Sequence, residues 1–205
     1  MKLTKVFTLC AVLLVGLAAW SQDFPRAEVA ADYSYARFYP AAHETQSLSL
    51  NGGGGALVVN INHYFGIKMD LQGYGSNTIK WTGSYGNLTA QGNLFTYLFG
   101  PQVKFRTQKF QPFAHLLFGA AHSNVYGNLT KACQLSCTTS GSPAGDAFAM
   151  AFGGGVDIPI SKAFQFRPVE IDYLMTDFTN QFNNSSQHNF RYSAGVNFTF
   201  GGRGY

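Results

Sequence analysis

The chain has 205 residues, of which 12% are charged and 46% hydrophobic, with 19 Phe, 11 Tyr and 23 Gly. So much aromatic and apolar material excludes intrinsic disorder, and beyond the N-terminal segment no run of about 20 apolar residues supports a membrane-spanning helix. The formal charge of +4, from 14 Lys and Arg against 10 Asp and Glu, is scattered singly, whereas a nucleic-acid interface gathers basic residues into a patch.

Met1 to Gln22 has the build of a secretory signal peptide. Lys2 and Lys5 make a positive start, Val6 to Ala19 is an apolar run of 14 residues, and Ala19 and Ser21 are small residues where a signal peptidase cuts. The run is too short to span a bilayer. Cys10 lies inside it without the lead-in of a lipid-anchored cysteine. Removing Lys2 and Lys5 lowers the charge from +4 to +2, so the basic balance says little about partners. The expected organisation is a removed segment 1–22, one domain over 23–200 and a short tail 201–205.

Through the mature chain the pattern is alternation with period two, the mark of strands with two unlike faces. Eight such segments follow one another: Val29 to Phe38, Gly55 to Asn62, Ile67 to Gly75, Asn93 to Lys104, Pro112 to Ser123, Ala147 to Ile160, Phe164 to Thr176 and His188 to Phe200. In the last, Phe190, Tyr192, Ala194, Val196, Phe198 and Phe200 oppose Asn189, Arg191, Ser193, Gly195, Asn197 and Thr199. The connections alternate as well. Asn62 to Gly66, Phe105 to Gln111 and Ser161 to Ala163 are short; Tyr39 to Gly54, Ser76 to Gly92, Asn124 to Asp146 and Asp177 to Gln187 are long and polar. This is an up-and-down meander with both termini at the short-turn end.

The bulky face decides the environment. Eight strands close around an interior just wide enough for side chains, and the aromatic and aliphatic groups of the apolar faces are too many and too large for it. The small and polar faces fit. The bulky face therefore points outward, into lipid, and closure satisfies every backbone donor and acceptor there. The expected fold is all-β, an eight-stranded antiparallel up-and-down transmembrane β-barrel. A secreted soluble barrel of lipocalin type is the inverted alternative, with the bulky face inside.

Three pieces carry a resemblance: the first strand from Val29 to Arg37, the glycine run Asn51 to Gly55 at the start of the second, and the terminal strand Phe190 to Phe200. In order and spacing they resemble the eight-stranded outer-membrane barrels of Gram-negative bacteria, the OmpA-like and OmpX-like group, over essentially the whole mature chain. The resemblance implies a monomer in outer-membrane lipid and lipopolysaccharide, without cofactor, catalysis or nucleic-acid partner. It also implies that Tyr192, Phe198 and Phe200 carry the signal read by the assembly machinery. The departure is Gly201 to Tyr205, which follows the terminal Phe200. The implied role is structural or adhesive, exercised on a loop ligand still to be identified. A small-solute porin and a lipid-modifying enzyme are the alternatives.

Alternation places Glu28, Asp32, Lys68, Asp70, Lys104, His115, Asp157, Glu170, Asp172 and Arg191 on the inner face. Unpaired buried charge is costly, so these groups are expected to pair into a polar plug, with Arg191 and Lys104 opposite Glu170 and Asp172. A gated pore or proton path is the functional alternative. Cys133 and Cys137, three residues apart in an exported chain, are expected to close a loop disulfide; a zinc site lacks further ligands at suitable spacing. His115, His122, Ser123 and Asp146 are the residue types of a hydrolase, but no nucleophile motif such as Gly-x-Ser-x-Gly accompanies them. The run Gly52 to Gly55 lacks the Lys and helix of a phosphate loop and is expected to be a flexible loop end. Ile79 to Trp81 and Tyr126 to Asn128 are the candidate loop contact sites, and Tyr33, Tyr35, Tyr97, Tyr173, Trp81 and Tyr85 candidate interfacial anchors, with loop packing or ligand contact the alternative for Trp81 and Tyr85.

Overall fold

The computed structural model describes residues 24–38, 48–76, 79–83, 86–90, 93–123, 145–177 and 186–202. The signal segment, Tyr85, Cys133 and Cys137, the Tyr126 to Asn128 site and residues 203–205 lie outside them. Ten strands run in chain order: β1 (Ala27–Phe38), β2 (Leu48–Asn60), β3 (Phe65–Ser76), β4 (Ile79–Gly83), β5 (Gly86–Ala90), β6 (Asn93–Lys104), β7 (Gln111–Ser123), β8 (Gly145–Pro159), β9 (Phe164–Asp177) and β10 (Ser186–Phe200). Eight close into a barrel in the order β1-β10-β9-β8-β7-β6-β3-β2, while β4 and β5 pair as a separate hairpin. Every pairing is antiparallel, and β1 with β10 seals the cylinder from Ala27↔Phe200 to Arg37↔Phe190. The long connection 76–92 thus holds the β4–β5 hairpin, which the loop-like composition of that stretch concealed.

The short turns are built from local hydrogen bonds. Asn62 Oδ1 accepts from the backbone N–H of Tyr64 and of Phe65, both at 2.8 Å, and turns the chain from β2 to β3. Between β8 and β9, Ile160 N–H donates to the Phe164 carbonyl at 3.0 Å.

The outer face is a belt of exposed apolar groups, among them Ile67, Met69, Leu71, Phe95, Phe99, Phe152, Ile171, Phe190 and Phe198. Contiguous apolar surface on this scale is foreign to a water-soluble monomer and suits the acyl chains of a bilayer. It contradicts the lipocalin-like alternative. Toward the loops the belt acquires polar handles. The Tyr33 hydroxyl donates to Asn51 Oδ1 at 2.7 Å, and the Tyr35 hydroxyl bonds to Ser49 Oγ at 2.8 Å.

The run Gly52 to Gly55 is not a loop end. It is the middle of β2, paired with β1 on one side and β3 on the other. The reason is close approach. A Cβ on Gly52 would lie 2.1 Å from the Gly73 carbonyl oxygen, and one on Gly54 2.1 Å from that of Leu71 and 2.5 Å from the Gln72 amide. Glycine is there because the neighbouring strand leaves no room for a side chain.

Among the described strands the register shifts at one place, on β9. In β9, Arg167 opposes Gly195 and Glu170 opposes Ser193, so the strand carries one residue more than its partner. The same offset appears against β8, between Val156 and Ile158. This is a β-bulge at Pro168 and Val169. Proline lacks the N–H of a regular ladder position and is tolerated at such an irregularity.

Candidate functional site: the lumen charge network

The lumen has two unlike halves. At the loop end it is mainly apolar: Leu50, Tyr74, Leu94, Leu98, Leu117 and Leu174, with several alanines, form one buried cluster, interspersed with the neutral Thr96, Thr176 and Asn189. Toward the short turns it is filled with charge. Expecting one polar face along every strand missed this division, because alternation distinguishes inside from outside but not one end from the other.

In the part nearer the short turns, Lys104 lies between two carboxylates. Its Nζ is 2.6 Å from Glu28 Oε2 and 2.7 Å from Asp157 Oδ2, and it also donates to Gln165 Oε1 at 3.0 Å. Arg106 reaches Glu28 Oε1 at 2.7 Å, and the amides of Asn60 and Asn197 donate to the two Glu28 oxygens at 2.9 and 2.8 Å. Arg167 joins this group to the next. Its Nε lies 2.6 Å from Asp157 Oδ1 and its Nη1 2.7 Å from Glu170 Oε2. Its guanidinium also stacks over the Phe113 ring at 4.4 Å, a favourable placement for a cation.

Farther along the lumen, Lys68 Nζ is 2.5 Å from Glu170 Oε1 and 3.6 Å from Asp70 Oδ2. Arg191 forks across the barrel, with Nη1 2.8 Å from Asp70 Oδ1 and Nη2 2.6 Å from Asp172 Oδ2. His115 Nε2 lies 2.8 Å from Asp172 Oδ1. Asp32 stands apart, bonded only to neutral groups: the Ser34 hydroxyl donates to it at 2.9 Å and the Gln72 amide at 2.8 Å.

The network is assembled from all round the barrel. Glu28 comes from β1, Lys68 and Asp70 from β3, Lys104 from β6, His115 from β7, Asp157 from β8, Arg167, Glu170 and Asp172 from β9, and Arg191 from β10. Strand β2 supplies Asn60. Ten residues were expected on the inner face. Eight of them form ion pairs there, His115 is hydrogen-bonded to Asp172, and Asp32 is bonded to neutral partners. One expected pairing is wrong. Lys104 is not the counter-charge of Glu170 and Asp172; it serves Glu28 and Asp157, while Lys68 and Arg167 serve Glu170. Sequence position along a strand sets depth in the lumen only after closure and stagger, and Lys104 lies at the short-turn end of β6.

Two members went unnoticed in the sequence. Arg167 falls on the apolar face when counted by twos from Val169. The adjacent Pro168 was the available signal of a bulge that turns Arg167 inward. Arg106 follows the end of β6 and has no periodic signature.

His115, Glu170 and Asp172 also bring potential ligand atoms within 4.8 Å of one another. All four carboxylate oxygens already have nitrogen partners, Lys68, Arg167, His115 and Arg191. The carboxylates of the set are therefore occupied by the protein's own nitrogen donors and form a node of the network. Outside the lumen, at the loop end, His122 Nδ1 and Asp146 Oδ1 form an exposed pair at 2.7 Å; the side chain of Ser123 lies outside the described set.

The arrangement can hold eight strands at fixed register and block the bore. Breaking one partner from a buried, fully bonded ion pair leaves an uncompensated charge and costs about 3–5 kcal/mol, so each strand that contributes a charged partner is tied to others across the lumen.

A family model described as outer membrane protein beta-barrel domain matches residues 7–198. None of the curated proteins matches the sequence. Among solved structures, Neisserial surface protein A is similar at a TM-score of 0.60 and 14% identity, covering 87% of this chain and 100% of that one. The outer membrane protein OprG of Pseudomonas aeruginosa has a TM-score of 0.57 and 13% identity, covering 88% and 99%. The attachment invasion locus protein of Yersinia pestis has a TM-score of 0.53 and 12% identity, covering 86% and 99%. At these identities the likeness is one of fold.

Proposed function

The chain belongs to the outer membrane protein beta-barrel family and resides in the bacterial outer membrane, and we propose that it is a non-catalytic, monomeric surface protein acting through its four long loops. The observation that carries this reading is the filled lumen. Cross-lumen ion pairs and the buried cluster toward the loops occupy the bore with side chains, so the barrel is a rigid platform and the loops are the variable, solvent-facing part. One fold neighbour is named for attachment and invasion, which is compatible with a surface-contact role. Cys133 and Cys137 close a loop disulfide in this reading, and the β4–β5 hairpin (79–83 and 86–90) is a loop contact element.

Purified protein in planar bilayers is expected to show no large steady conductance, and to cleave neither chromogenic esters nor lipid A. A stable open channel overturns the platform reading in favour of a porin, and turnover of either substrate overturns it in favour of a lipid-modifying enzyme. Deletion of 124–144 or 79–90 is expected to leave a folded barrel and abolish cell-surface binding.

The terminal strand is the part engaged by the outer-membrane assembly machinery in the same proposal. Phe198 and Phe200 are exposed on the lipid face beside the β1 seam, where Phe198 pairs with Val29. Phe200→Asp is expected to reduce the membrane-inserted fraction in cells several-fold, while spontaneous refolding into short-chain lipid vesicles is affected less. Equal loss in both assays removes the recognition role and leaves only a packing one.

A further inference from the structure

At the short-turn end the barrel opens into a cavity of about 460 Å³, within the size range of small-molecule sites. In an outer-membrane barrel short turns face the periplasm, so this is a periplasmic vestibule. Its lining includes Arg106, Lys162, Gln108, Gln111, Gln165 and Thr199, and no carboxylate. The wider rim has the same sign. Among the described turn residues, 24–26, 61–64, 105–110, 160–163 and 201–202, the charges are Arg26, Arg106, Lys109 and Lys162, and there is no Asp or Glu.

The floor is closed and pre-organised. Gln165 Nε2 donates to Gln111 Oε1 at 3.1 Å, Gln165 Oε1 accepts from Lys104 at 3.0 Å, and Thr199 Oγ1 donates to the Lys162 carbonyl at 2.9 Å. Arg106 is held by Glu28 and by the His63 carbonyl, yet its buried Nε–H has no partner. Its donor capacity is thus not exhausted by the protein. Beneath lie the Glu28, Lys104 and Asp157 ion pairs, so a solute that enters meets a dead end.

We propose that this vestibule is a binding site for a periplasmic solute about the size of a monosaccharide that carries a phosphate or carboxylate. The cations select the anion by charge-assisted hydrogen bonds. Gln108 at the exposed rim offers an amide donor and acceptor to a hydroxyl-rich body, while Gln111, Gln165 and Thr199, already bonded to one another and to the wall, fix the shape of the floor. The site lies at the opposite end of the barrel from the loops, so it stands whether or not the loop-side role does.

The test uses the full chain, isotope-labelled in lipid nanodiscs, titrated with glucose 6-phosphate, with glucuronate and with neutral glucose. Saturable shifts of the Gln108, Lys162 and Gln165 amides with either anion, and none with glucose, are expected. Lys162→Glu, at an exposed turn, is expected to weaken the anion about tenfold or more, the size of one charge-assisted contact. Gln108→Glu, also exposed, serves as a second charge insertion should the first variant fail to give a folded barrel. Shifts that never saturate, shifts of equal size with glucose, or affinity unchanged in a folded charge-insertion variant overturn the proposal.

Discussion

Arg191 and Asp32 mark the two extremes among the lumen charges. Arg191 is buried between Asp70 and Asp172, with a close contact to each. Arg191→Met removes the cation and leaves two carboxylates short of a partner, and is expected to cost about 3–5 kcal/mol. Asp32 is only half-buried and accepts from the neutral Ser34 and Gln72, so Asp32→Asn is expected to cost about 1 kcal/mol. Urea unfolding of both variants in vesicles measures the difference; equal midpoints would contradict a plug held by ion pairs. Both residues were placed inside by counting along their strands. Only the partners separate them, and partners 121 residues apart, as Arg191 and Asp70 are, leave no local trace in sequence.

At the scale of the element, β9 shows how a local irregularity directs a cross-lumen contact. The bulge at Pro168 and Val169 lets Arg167 and Glu170, three residues apart, both face inward and bond to each other at 2.7 Å. Deleting Val169 restores regular alternation with both charges still inward, and a folded barrel is expected. Deleting Ile171, from the regular part, forces Glu170 or Asp172 onto the lipid face, where an ionised group is costly. The fraction of each variant that runs as a compact, heat-shifted band on an unboiled gel reads the outcome; equal yields would show that the inward placement of these charges does not matter to assembly. The strands themselves were legible from sequence almost throughout, because alternation of bulky and small residues is a local property. The glycine stretch of β2 was not. Its glycines have the composition of a loop, and their place in a strand is dictated by how closely β3 approaches.

For the whole molecule, the filled lumen and exposed belt describe a cylinder whose stability resides in its interior pairs and whose solubility resides in lipid. The full chain is expected in the outer-membrane fraction, with a heat-shifted band. Recovery in the soluble fraction without a shift would overturn the lipid-facing assignment of the belt. The sequence alone determined the number of barrel strands, their up-and-down order, the apolar outward face and ten of the inward ionisable residues, all but Arg106 and Arg167 of the network. All of these follow from period-two patterning and the volume that eight strands enclose. Tertiary structure decided the rest: which charge meets which, the division of the lumen into charged and mainly apolar halves, the inward turn of Arg167, and the cationic vestibule at the short-turn end. Those depend on closure and stagger, which bring residues from eight strands to one depth, and no local spacing encodes that depth.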